Sequence, residues 1–160
     1  MKVFKFGGAS LESEERIRQV ALIVKAYLGE PLVVIVSAMG KTTNALEKIV
    51  EHYYRRHPET AAELLSNLYQ QHERLASAVI SDPEDPVFSM LHQVFHEMEW
   101  KLGEKPYKPY DFYYDQLVSR GEVLSSVIVA ACFRQEGIPM GWLDAEGVIR
   151  GGDTFRDGRV

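Results

Sequence analysis

Cysteine is nearly missing from this chain. Cys132 is the one thiol in 160 residues, so no intrachain disulfide can staple the fold, and its place in the apolar run 127–133 marks it as a small buried hydrophobe. A reducing, cytoplasmic setting is the expectation. Positive charge is also in deficit: 18 Lys and Arg against 23 Asp and Glu leave a formal net charge of −5, with no global field to gather a nucleic acid. Long apolar runs are lacking too. The N-terminal segment 1–6 breaks at Gly7-Gly8 before a secretory stretch can build up, and no later run approaches the ~18 apolar residues that span a bilayer. Nucleic acid and membrane are therefore disfavoured as partners. The remaining composition, 46% hydrophobic and 26% charged, suits one globular domain.

What is present is an alternation of short apolar segments and helical patterns, the signature of the α/β class with a parallel sheet. Residues 3–6 read as a first strand. Ser10 stands where a helix N-cap belongs, with Glu12, Glu14 and Glu15 following where carboxylates complement the helix dipole. Ile17, Val20, Ala21, Val24 and Leu28 keep helical spacing until Gly29 and Pro31 stop it. Residues 32–36 are apolar throughout, which predicts a central strand buried on both faces. A second helix starts near Thr42 to Asn44 and ends at 55–58. Two apolar stripes flank the breaker segment 81–86, so 58–103 reads as a helical hairpin inserted on the α/β scaffold, either a lid or part of a subunit interface. After the Pro- and Tyr-rich loop 105–110, one long helix is expected to about Gln135, closed by Gly137, with strands at 140–143 and 148–150. The segment 151–160 carries no capping element and reads as a cut within a domain.

Three segments can carry chemistry. Lys5-Phe6-Gly7-Gly8-Ala9-Ser10 runs from a strand end through two glycines towards a helix start. Glycines let backbone approach a ligand, helix N–H groups favour an anion, and Lys5 adds a point charge; a plain tight turn beside a solvated lysine would give the same letters. Ser37-Ala38-Met39-Gly40-Lys41-Thr42-Thr43-Asn44 also follows a strand end, where open α/β sheets place ligands. It is no Walker A loop, because that spacing needs glycine where Ile35 stands. The other reading is a capped helix start. Ser119-Arg120-Gly121-Glu122 opens an otherwise apolar helical run. Gly inside a helix costs about 1 kcal/mol relative to Ala, which suggests a close approach there. Glu122 either pairs with a neighbouring cation or receives a cationic group of a ligand.

The histidines offer less. His92 and His96 lie one turn apart, but Gln93 replaces the glutamate of the zinc-protease pattern, so no metal site is expected. His72 falls on an apolar stripe and reads as a core histidine with a hydrogen-bond partner, whereas His52 and His57 read as exposed. Tyr107, Tyr110, Tyr113 and Tyr114 lack the basic stripe of a base-stacking platform and read as packing or interface aromatics.

Taken in order, the three segments resemble the N-terminal half of the aspartate kinases, within the amino-acid kinase family. The likeness runs over essentially the whole chain, although the family usually has threonine where Ala9 stands and commonly arginine where Glu146 stands. The resemblance implies a three-layer αβα sandwich with a largely parallel sheet. It also implies transfer of the ATP γ-phosphate to the β-carboxylate of L-aspartate, giving 4-phospho-L-aspartate for lysine, threonine and methionine synthesis. Lys5 would be the catalytic cation, and Lys5, Gly7, Gly8 and Ser10 would face the ATP phosphates. Ser37, Thr43 and Glu122 would hold aspartate, with Mg²⁺ carried mainly on the phosphates. In the family, the nucleotide-binding half of the domain and the ACT regulatory domains lie beyond the point matching Val160. Residues 1–160 are thus expected to be the N-terminal part of one kinase domain, inactive alone, exposing sheet surface meant for the other half, and homo-oligomeric in the parent protein. Two alternatives stand beside this one: a kinase for another small carboxylate or amino acid, and a non-catalytic assembly module that uses the hairpin and tyrosine loop as an interface.

Overall fold

Two short strands set the frame of the computed structural model, which describes residues 1–145. β1 (Lys2–Phe6) and β2 (Leu32–Val36) pair in parallel, Lys2 opposite Leu32 and Phe6 opposite Val36. Parallel neighbours need a crossover, and α1 (Glu14–Lys25) supplies it. Ser10 does not cap this helix. Residues Gly8–Leu11 form a single 3₁₀ turn because Leu11 is drawn wholly into the core, and the helix starts after it with Ser13 Oγ accepting the Arg16 N–H at 3.4 Å.

Side chains alternate along both strands. Phe6, Val34 and Val36 pack on the core, whereas Val3, Val33 and Ile35 are 56%, 42% and 48% exposed. The expectation that β2 is buried on both faces is therefore corrected. An all-apolar strand signals that both faces can be covered, but the helices among the described residues cover only one.

The rest is helical: α2 (Thr42–Tyr54), α3 (Pro58–Val79), α4 (Pro86–Gly103), α5 (Tyr110–Val118) and α6 (Arg120–Gln135). The hairpin forms as its stripes require, with Pro in the first turn of both helices and Asp85 Oδ1 accepting the Val87 N–H at 2.8 Å. The single long helix expected from Tyr110 is interrupted at Ser119, which keeps a helical backbone while the Glu122 N–H tightens to the Ser119 carbonyl at 3.3 Å, and both α5 and α6 pack against α2. Consequently Gly121 lies in a first helical turn, not a helix interior. Leu124, Ile128 and Cys132 are fully buried, and burial pushes the Cys132 thiol up to about 11, leaving it an inert core group. The stretch Tyr110–Gln135 is long and apolar enough by composition to cross a membrane, yet 67% of its most apolar 18-residue window is buried, as in the central helices of a core. No strand forms at 140–143: the sheet has two strands among the described residues, neither pairs with this segment, and Trp142 instead donates its Nε1–H to Ser126 Oγ at 3.0 Å. The strand expected at 148–150, with Glu146, lies outside the described residues.

Two histidines behave differently from one another. His52 is half-buried rather than exposed, because Tyr53 beside it is drawn into the core. His72 is 3% exposed, with Nδ1 2.9 Å from the Leu68 carbonyl oxygen. Burial holds its pKa below the ordinary 6.5, opposed by that hydrogen bond. The folded state thus resists a proton that the unfolded chain accepts. Stability should be at its plateau above about pH 6.5 and fall as pH drops from there through the lower folded pKa. Chemical denaturation from pH 7.5 to 5 should show this fall, and it should flatten in His72→Gln.

Candidate active site

The ends of β1 and β2 lie side by side, and the chain segments that leave them are joined by backbone hydrogen bonds. Ser37 N–H extends the ladder to the Phe6 carbonyl at 3.1 Å, and Gly40 N–H donates to the Gly8 carbonyl at 2.9 Å. Gly8 is demanded by this contact: a Cβ there would collide with the Ala38 carbonyl oxygen and crowd the Gly40 backbone. Gly40 takes a left-handed φ of +53°, the second position where glycine is required. At Gly7, by contrast, a Cβ would meet nothing within 4 Å, so its backbone borders open space.

The third motif comes from α6 and closes against the second. A Cβ on Gly121 would lie 2.9 Å from Ala38 Cβ and 3.4 Å from Thr42 Cγ2, so the helix start and the turn touch through their smallest residues. Ser125, one turn on, accepts the Met39 N–H at 2.8 Å and donates to the Gly121 carbonyl at 3.0 Å, so its hydroxyl is used in both senses. It is fully buried, and without it the Met39 N–H would be a buried orphan donor. Sequence reasoning passed over Ser125. A signal existed, since it opens the Ser125-Ser126 pair that interrupts an apolar run.

Of the expected site residues, Lys5, Gly7 and Glu122 are exposed, and Gly8, Ser10, Ser37 and Thr43 are half-buried. Among the described residues neither Lys5 nor Glu122 has a salt-bridge partner. Arg16 adds a cation beside the first turn: its Nη1 donates to the Ala9 carbonyl at 2.8 Å. Arg16 also pairs with Glu12 at 3.4 Å, and the alternation of β1 places Lys5 beside Val3 on the open face of the sheet, whereas Glu122 stands at the start of α6 next to Gly121. The His92 and His96 rings stack at 6.2 Å on α4, away from these turns, and no group of three or more metal-ligating side chains exists among the described residues.

A parallel βαβ start with glycine turns at its strand ends defines an α/β domain, a class in which ligands sit at the ends of the strands. The chain belongs to the amino acid kinase family, whose model matches residues 1–160. It is 35% identical over 147 residues to aspartokinase 1 of Arabidopsis thaliana, covering 89% of this chain and 25% of that protein. It is 28% identical over 149 residues to bifunctional aspartokinase/homoserine dehydrogenase 2 of Escherichia coli, covering 93% of this chain and 18% of that one. The fold matches the crystal structure of E. coli aspartokinase III in complex with aspartate and ADP, with a TM-score of 0.83 at 22% identity over 96% of this chain and 33% of that chain. The chain spans a quarter or less of the length of these curated relatives.

The glycine contacts yield a contrast. Gly8→Ala should cost about 1–3 kcal/mol by forcing the two turns apart, whereas Gly7→Ala, on extended backbone beside open space, should change stability by less than about 0.5 kcal/mol. Equilibrium denaturation of both variants checks this.

Proposed function

We propose that this chain supplies the amino-acid side and part of the phosphate side of an aspartate kinase active site, as the N-terminal part of one kinase domain with 58–103 as a helical insertion. The observation that supports the reading is the mutual contact of its three motifs: the Gly40 N–H on the Gly8 carbonyl, and Gly121 against Ala38. Residues far apart in sequence are thereby held around one rim, as a site for two anions and an ammonium requires. The aspartokinase III structure, which binds aspartate and ADP, lends the substrates by fold analogy.

The chemistry suits these groups. An aspartate β-carboxylate, with a pKa near ~4, is already ionised at neutral pH and needs no general base. Its oxygen attacks the γ-phosphorus of ATP as the bond to the β,γ-bridging oxygen breaks, and ADP leaves with that electron pair. Positioning and charge are what the protein must add. Lys5 opposes the charge on the transferring phosphoryl group, Gly7 and Gly8 admit the phosphates close to backbone, and Ser10 borders the same turn. Ser37 and Thr43 orient the substrate, and Glu122 receives its α-ammonium. The described side chains offer no cage for Mg²⁺, so no step is assigned to it; a cation would enter on the ATP phosphates. Nucleotide-binding and ACT regulatory parts, homo-oligomerisation, a cytoplasmic location and a role in lysine, threonine and methionine synthesis belong to the same proposal.

In the full-length gene product, Glu122→Gln should raise the aspartate KM about tenfold or more and leave the ATP KM nearly unchanged. Lys5→Ala should lower kcat by about 10² or more. Steady-state kinetics with both substrates tests the pair, and an unchanged aspartate KM in Glu122→Gln would remove the substrate assignment.

A further inference from the structure

The inserted hairpin reaches the second motif. His72, in the middle of α3, lies 3.4 Å through Nε2 from the hydroxyl of Thr42, the first residue of α2. The chemistry fixes the direction of this contact. Nδ1 faces the Leu68 carbonyl, which only accepts, so Nδ1 carries the proton and Nε2 presents a lone pair. Thr42 is therefore the donor. With its hydroxyl turned to α3, its methyl is turned to Gly121 at the start of α6, where a Cβ would come within 3.4 Å of it. Both groups are buried, at 3% and 5% exposure, and the Phe95 ring of α4 packs edge-on to the imidazole at 5.7 Å.

A bond this long adds little stability, and an apolar pair of similar volume would fill the space at small cost. Its effect is directional. A threonine in the first turn of a helix can swing its hydroxyl to several backbone acceptors, and here one rotamer is selected. That rotamer seats the first turn of α2 between the hairpin and the Gly121 contact, one residue before Thr43.

We propose that His72 is a positioning residue for the Ser37 to Thr43 turn, holding the first turn of α2 through the Thr42 hydroxyl so that the turn is preorganised for substrate. The hairpin thereby serves the site and is more than scaffold. The substrate part rests on the aspartate kinase reading given above; the positioning part does not.

The test uses the full-length gene product with His72→Phe, His72→Gln, Thr42→Val and the double variant His72→Phe/Thr42→Val. His72→Phe should raise the aspartate KM about five- to tenfold with kcat within about twofold and the ATP KM unchanged. Thr42→Val should do the same, and the double variant should be no worse than either alone, because both remove one interaction. His72→Gln, which keeps an acceptor near the Nε2 position, should restore KM to within about twofold of the parent. Amide hydrogen exchange provides a readout independent of turnover: exchange at Thr42 and Ala45, whose N–H groups donate to the Met39 and Lys41 carbonyls, should rise about tenfold in His72→Phe and return in His72→Gln. This exchange pattern in a protein that never turns over aspartate supports the positioning role and overturns only the substrate reading. Unchanged exchange at Thr42 and Ala45 in a folded His72→Phe, or KM effects that add in the double variant, overturns the proposal.

Discussion

The close approach of two chain turns at the ends of β1 and β2 is the constraint from which the rest of the site follows. The Gly40 N–H reaches the Gly8 carbonyl only because no Cβ stands between Gly8 and Ala38, and Gly40 itself adopts a backbone conformation that other residues resist. Once these turns are locked, Ala38 and Met39 are fixed as a floor on which Gly121 and Ser125 of α6 can rest. Small residues and one hydroxyl therefore set the separation of all three motifs. Larger, more chemically active groups such as Lys5 and Glu122 are carried outward to solvent by that frame.

Around this frame the helices divide their work. α6 is apolar on nearly every side and buried from 127 to 133, so it acts as the central post. α1 is tied to the end of α6 by Lys25 and Arg18, whose cations hold the Glu136 carboxyl below its usual range, Lys25 most strongly at 2.8 Å. These groups are partly solvated, so the pairs orient more than they stabilise. α3 and α4 bury their own seam and send one polar group, His72, towards α2. The opposite face of the sheet stays apolar and open at Val3, Val33 and Ile35, a surface suited to further packing and, uncovered, to self-association.

Much of this was legible in the residues. The βαβ order, both helices of the hairpin and the ends of α2 follow from apolar periodicity and from Pro and Gly placement, because those are local steric and hydrophobic effects. His72 was legible as a core histidine with a partner from its place on an apolar stripe. The cap at Ser13, the break at Ser119 and the missing strand at 140–143 were not. Each depends on a non-local partner: Leu11 pulled into the core, α2 receiving two helices, and a sheet edge that 140–143 does not join.

The amino-acid order by itself determined the βαβ start, the hairpin and the helical character of most of 110–135, since backbone preference and solvent aversion act over a few residues. Only the tertiary structure decided that Gly8 and Gly121 each abut Ala38, that Ser125 bridges Met39 and Gly121, and that the hairpin touches Thr42. Those contacts join positions separated by 30 to 86 residues. Their geometry is set by how whole elements pack, which no local pattern encodes.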